Sequence, residues 1–177
     1  MIFCGVDPGL TGAICVLDSE TKEVSFVDTP VVEVRVGKKM KHQQDVYAMV
    51  RILRAICEGK DVMVVIEKVN AMPGKSADGE RQSMGATSAF NFGMGYGEWL
   101  GILAALEIPY QQVHPATWKA VMMQGSTKEK DASRVKAMQL FPKTAKDLTR
   151  KKDHGRADAL LIAVWASKVS SRPLGDF

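Results

Sequence analysis

Two carboxylates each stand at the end of an apolar run: Asp7 follows IFCGV, and Glu67 follows VMVVI. A third, Asp158, opens a helical pattern whose apolar face carries Leu160, Leu161, Val164 and Trp165. An acid that ends an apolar strand is poorly placed to be an ordinary surface charge. Two of them on neighbouring strands would face each other at the edge of a sheet, and close carboxylates repel unless they share a proton or a cation. Oxygen donors of this kind suit Mg²⁺ or Mn²⁺. Just ahead of Asp158 lie Asp153 and His154. Asp153 fits either a further acidic ligand or a helix N-cap, and Asp158 alone would also fit a first-turn acid favoured by the helix dipole. His154 fits a ligand, a proton carrier or an ordinary exposed histidine.

The elements that must position these groups follow from the pattern of apolar and turn residues. Residues 2–6, 13–17 and 23–27 are short apolar runs bounded by turn residues, and they predict three consecutive strands joined by tight turns. From Asp45 the period changes: Val46, Met49, Val50, Leu53 and Ile56 recur at helical spacing until Gly59. Residues 62–66 form a continuous apolar strand of the kind found at the centre of a parallel or mixed sheet. Residues 70–82 predict a polar loop, long for a mere connector. A helix is expected over about 84–106, crowded with Gly93, Gly95, Gly97 and Gly101, then a strand at 110–113 and helices at about 116–123, 128–140 and 155–169. Strands and helices in this order predict a mixed α/β fold, with no internal repeat or interdomain linker and one domain over 1–177.

Composition narrows the class. The chain has 177 residues, 46% hydrophobic and 25% charged, close to the globular average. Its formal charge of +4 hides an asymmetry: residues 1–114 hold 11 Lys/Arg against 14 Asp/Glu, and residues 115–177 hold 13 against 6. The basic excess after residue 115 suits a phosphate-facing surface, although solvated helix faces would give the same count. Cys4, Cys15 and Cys57 form no CxxC or Cys/His cluster and read as buried thiols in a reducing compartment. The N-terminal segment is broken by Asp7, Pro8 and glycines and fits neither a signal peptide nor a membrane span. A cytoplasmic location is expected, with no membrane partner.

GVDPGLTGA, VVIEKV and DHGRADALLIA together resemble the RuvC-type Holliday-junction resolvases of the RNase H-like (retroviral integrase) superfamily, in particular their phage and organelle members. The resemblance implies an RNase H-like mixed five-stranded sheet flanked by helices. It also implies an acidic quartet binding two Mg²⁺ ions, with Mn²⁺ as a substitute, in which Asp7, Glu67 and Asp158 match directly. Many resolvases carry the fourth member three positions before the last acid, where this chain has Gly155; Asp153 is taken for that role, with His154 as the alternative. HPATWKAVM and GSTKEKDASRVKAM resemble the segment bearing the family's essential lysines, which assigns Lys119 and Lys130 to catalysis. Lys75, Lys119, Lys128, Lys130, Arg134, Lys151, Lys152 and Arg156 are the expected DNA contacts. The 70–82 loop corresponds to the junction-probing loop, with Met72 as its apolar wedge, a role that does not require an aromatic side chain. The implied activity is paired, two-metal-ion hydrolysis of four-way and related branched DNA junctions by a homodimer, leaving 5′-phosphate and 3′-hydroxyl ends.

Other classes fit less of the chain. Asp-x-Gly-x-Thr-Gly after a first strand also occurs in actin-like ATPases and sugar kinases, where the turn cradles phosphate. Those proteins need a second phosphate loop and an adenosine-binding half. There is no Walker A sequence, HExxH or Ser nucleophile elbow, and GMGYG lacks the spacing of a dinucleotide fingerprint. A flap or debranching nuclease on the same fold, and a non-catalytic junction-binding module, are the remaining alternatives.

Overall fold

The computed structural model describes residues 1–69, 85–126, 129 and 131–170, together with the backbone of 74–75 and 81–82. Three strands, β1 (Ile2–Asp7), β2 (Ala13–Asp18) and β3 (Val24–Asp28), form an antiparallel meander. A separate antiparallel hairpin follows, β4 (Val31–Val36) and β5 (Lys39–Gln44), then helix α1 (Val46–Cys57). β6 (Val62–Glu67) pairs parallel to β1. The two-residue strands β7 (Gly74–Lys75) and β8 (Arg81–Gln82) pair antiparallel within the predicted loop. Helix α2 (Ala86–Ala105) returns the chain to β9 (Tyr110–Val113), which pairs parallel to β6. Helices α3 (Pro115–Met122), α4 (Ala132–Leu140) and α5 (His154–Ser170) complete the order, with 3₁₀ turns at Pro142–Asp147 and Lys151–Asp153 between α4 and α5.

The main sheet runs β3-β2-β1-β6-β9. Its central strands are apolar on both faces because both are covered. Phe3 and Val65 belong to one core with α5, Trp118 and Ala137; Cys4, Val6, Val64 and Ile66 belong to another with Met49, Leu53, Trp99 and Leu103. The two-residue period of a strand produces this division. All three cysteines are free, Cys4 and Cys15 buried and Cys57 partly so, as expected. Burial pushes the Cys4 thiol up to about 12.

α5 lies closest to the sheet. Ala157 and every residue from Ala159 to Ala166 is buried, so the helix is apolar around nearly its whole circumference. The approach is set by Gly5 on β1: a Cβ there would overlap the carbonyl oxygen of Ala159 and lie 2.6 Å from the amide nitrogen of Ala163. Only a residue without a side chain permits backbone to meet backbone at that point.

The described helices and the main-sheet strands match the sequence expectation, with boundaries moved by at most four residues. α4 begins at Ala132 rather than near 128. The β4–β5 hairpin was not anticipated, although Val32, Val34 and Val36 alternate with Glu33 and Arg35 ahead of Gly37, which is a strand signature. Among the described residues no helix is long and apolar enough to cross a membrane.

Gly5→Ala is expected to destabilise the protein by about 1–3 kcal/mol, the range for forcing a methylene into a packed core. Gly101→Ala, in open space on α2, should be neutral or stabilising by up to about 1 kcal/mol. Urea midpoints measure both, and equal effects would show that the β1–α5 approach is not tight.

Candidate active site

The sheet register brings the first two acids together. Val6 pairs with Ile66 across the parallel β1–β6 ladder, so Asp7 and Glu67 occupy the next position on each strand. Each lies two residues beyond a position on the α5 face, Gly5 against Ala159 and Val65 in the α5 core. The two-residue period therefore sends both side chains to that face. Asp158 adjoins Ala159 on α5, the residue packed against Gly5, and so reaches the same corner.

Neighbouring groups fix the orientation of each carboxylate. Asp7 Oδ1 accepts from the Gly9 N–H at 3.1 Å, closing the Asp-Pro-Gly turn on itself. Glu67 Oε2 accepts from the Nε1–H of the fully buried Trp118 at 2.6 Å. Ser133 lines the cleft with Asp158 and favours its charged form, and Asp158 Oδ1 is buried with no hydrogen-bond partner. Sequence reasoning missed Trp118 and Ser133, because nothing local to α3 or α4 marks a residue that orients an acid on another element.

Electrostatics bind these groups into one site. Burial is the main reason that all three carboxyls titrate above their ordinary values. For Asp7 and Glu67 the nearby Asp158 charge adds to that shift, while the Gly9 and Trp118 hydrogen bonds and Lys119 oppose it. His154 and Lys119 act favourably on both Asp7 and Asp158. Lys119 Nζ lies 5.0 Å from the centre of the Trp118 ring. A cleft of about 730 Å³ opens here, lined by Lys119, Ser133, Lys151, Lys152, His154 and Asp158 among others.

Asp153 is not brought to this group. Its carboxylate, 3% exposed, accepts from Arg150 Nη2 at 2.7 Å and from the Arg150 backbone N–H at 2.7 Å. Burial opposes its ionisation, but the Arg150 hydrogen bonds outweigh that and hold its carboxyl below the ordinary range. Asp153 thus clasps the turn that leads into α5, and the next residue, His154, lines the cleft together with Asp158. Gly155 could not carry an acid here: a Cβ would overlap the Thr11 carbonyl oxygen and come within 2.8 Å of Gly12 Cα.

Two of the expected DNA contacts are also engaged within the protein. Arg134 pairs with Asp131 at 3.2 Å and donates to the Leu148 carbonyl at 3.1 Å. Arg156 grips Asp28 with two nitrogens, Nη2 at 2.8 Å from Oδ2, and donates to the Asp147 carbonyl at 3.1 Å. Lys119, Lys151 and Lys152 are exposed on the cleft. Met72, Lys128 and Lys130 lie outside the described residues, as does the side chain of Lys75.

Comparison with solved structures decides the fold. RuvC from Thermus thermophilus in complex with Holliday junction substrate superposes over 96% of both chains with a TM-score of 0.56 and 15% sequence identity. A second Thermus thermophilus RuvC structure gives 0.51 and 18% over the same share. This chain has the RuvC fold. The RuvC-like arrangement is the mixed five-stranded sheet with flanking helices that the sequence motifs implied. No family model matches the chain. A 70-residue stretch, 40% of the chain, is 44% identical to the chloroplastic Holliday junction resolvase MOC1 of Chlamydomonas reinhardtii, and the match spans 8% of that protein's length. The resemblance to organelle resolvases thus appears in sequence, and the RuvC likeness in fold.

The donor set fits a divalent cation. Three acids are held against their charge in a partly buried corner, and Asp158 offers an unpartnered buried oxygen. Among the described residues no three His, Cys, Asp or Glu side chains form a closed set around one point, so a cation would draw the ligands inward.

Because the carboxyl pKa values are raised on folding, the folded protein retains protons that the unfolded chain has already released. That contribution to stability is complete in acid and is lost as pH rises through the raised values. In chelator-containing buffer, Asp7→Asn or Asp158→Asn should therefore flatten the fall of Tm above the ordinary carboxyl range and raise Tm at neutral pH, by about 2–4 °C per kcal/mol relieved. Tm curves that run parallel to wild type would refute the shared-charge reading. Asp153→Asn should instead lower stability by about 1–3 kcal/mol by breaking a buried charge-assisted clasp, whereas His154→Ala should leave it within about 0.5 kcal/mol. Urea titration of both variants separates the two roles.

Proposed function

We propose that the protein is a Mg²⁺-dependent endodeoxyribonuclease that resolves four-way and related branched DNA junctions by paired phosphodiester hydrolysis. The observation that carries this reading is the meeting of Asp7, Glu67 and Asp158 from β1, β6 and α5 at one corner of a RuvC-like sheet, beside Lys119. Asp7, Glu67 and Asp158 would hold two divalent ions, with His154 rather than Asp153 as the fourth group. Bound there, the cations would lower the pKa of an attacking water and stabilise the departing 3′ oxygen. No protein nucleophile is then required, and the products carry 5′-phosphate and 3′-hydroxyl ends.

The chain's own residues supply orientation and charge. The Trp118 N–H holds Glu67, the Gly9 N–H holds Asp7, and Ser133 lies on the same cleft as Asp158. Lys119 is placed to neutralise charge developing on a phosphate. Lys130 is its proposed partner. Lys151 and Lys152 flank the cleft as contacts for the DNA backbone, and Met72, Lys75 and Lys128 are proposed to engage the junction. A homodimer would present two such sites to two strands. Exposed Tyr47, Phe90, Phe92 and Met94 on α1 and α2 offer apolar surface for that pairing.

A labelled four-way junction, a flap, a linear duplex and an RNA–DNA hybrid, each with and without Mg²⁺, test the assignment. Symmetric Mg²⁺-dependent nicks confined to the junction are expected. Cutting of flaps with equal efficiency would favour a broader branched-DNA nuclease, and binding without cutting a non-catalytic module. Asp7→Asn and Glu67→Gln should abolish cleavage while retaining junction binding, and both should abolish the rise in Tm that Mg²⁺ gives the wild type. His154→Ala should weaken that rise and Asp153→Asn should preserve it.

A further inference from the structure

The β4–β5 hairpin carries an island of positive charge away from the cleft that Asp158 lines. Arg35, Lys38, Lys39 and Lys41 are all exposed, and none is paired with a carboxylate among the described residues. The hairpin's one acid, Glu33, faces His42 at 3.9 Å. This island lies in the part of the chain whose summed charge is negative, so composition hides it.

Its root sits at the catalytic edge of the sheet. Asp28, the last residue of β3, pairs with Ala13, which pairs with Asp7. The Thr29 N–H donates to the Gly12 carbonyl at 3.0 Å, and the Asp45 N–H to the Pro30 carbonyl at 2.9 Å. Gln44, 9% exposed, donates from Nε2 to the Pro8 carbonyl at 2.8 Å, inside the turn that carries Asp7. Both feet of the hairpin are thus fastened to the loop presenting the first catalytic acid. Strands of six residues each then carry the charge away from that edge by roughly 20 Å.

We infer that the β4–β5 hairpin is a second nucleic-acid contact, an arm whose Arg35, Lys38, Lys39 and Lys41 hold the phosphates of a duplex flanking the scissile site. The reach corresponds to about six base pairs of duplex beyond the active site. The inference rests on the proposed nuclease reading for the identity of the substrate, but its signature is in binding rather than in cleavage. The chemistry recognised is the phosphodiester backbone and not base sequence, because contacts to phosphate position a protein on a duplex without carrying sequence information.

The test replaces all four residues by Gln in the full-length protein. The junction and a linear duplex are titrated over a range of salt concentration, with Asp7→Asn as the parent so that no substrate is consumed. The slope of log Kd against log salt should fall by about 2–4, since each lost phosphate contact removes about 0.9. Tm should be unchanged because the four side chains are exposed. An unchanged salt slope with unchanged Tm overturns the inference. Loss of affinity that sedimentation traces to dissociation of a dimer also overturns it and marks the hairpin as a contact between copies of the chain. If the wild type proves not to cut any substrate, the slope measurement still decides the hairpin's role, so the two readings fail separately.

Discussion

The contact between the backbones of β1 and α5 at Gly5 is the constraint on which the rest of the molecule depends. α5 has almost no polar surface to offer water along the residues that cross the sheet, and it gains stability only by lying flush against it. With no side chain at Gly5, Ala159 and Ala163 meet the strand directly. Asp158 is then carried to the end of β1 where Asp7 stands, and Gly155 is pressed against the Thr11–Gly12 turn. A looser crossing would leave the same acids on the same elements but separate them.

That closeness has an energetic consequence. Burying carboxylates near one another is unfavourable without a proton or cation to share, and here all three are partly buried at the edge of the core. The stabilisation the corner lacks is supplied elsewhere, by two apolar cores on opposite faces of the sheet and by the Arg156–Asp28 and Arg150–Asp153 pairs that brace the approach to α5. Asp153 and Arg156 look like site residues in sequence because they are charged and close to Asp158. Within the protein they are engaged by Arg150 and Asp28 at the start of α5.

Most of the fold, and the position of Asp7 and Glu67 at the ends of their strands, were legible in the sequence because their signals are local. An apolar run that ends in an acid announces both a strand and an unusual carboxylate, as Asp7 and Glu67 do. The engagement of Asp153 was not legible, since it depends on how a 3₁₀ turn presents the side chain and on an arginine three residues upstream. Trp118 and Ser133 were hidden for a related reason: their roles exist only across elements distant in the chain. The β4–β5 hairpin was legible in its alternating valines, yet the negative charge balance of the N-terminal part directed attention away from it.

The hydrogen bond from Trp118 to Glu67 gives the site an optical property as well as a geometric one. Indole emission responds to charge placed against the ring, and Trp118 touches a carboxylate through its nitrogen while Lys119 lies over its face. Trp99 and Trp165 belong to the cores on either side of the sheet. Any event that changes the charge at Glu67, whether protonation, cation capture or the arrival of a phosphate, is therefore written into the intrinsic fluorescence of the unlabelled protein at one known position.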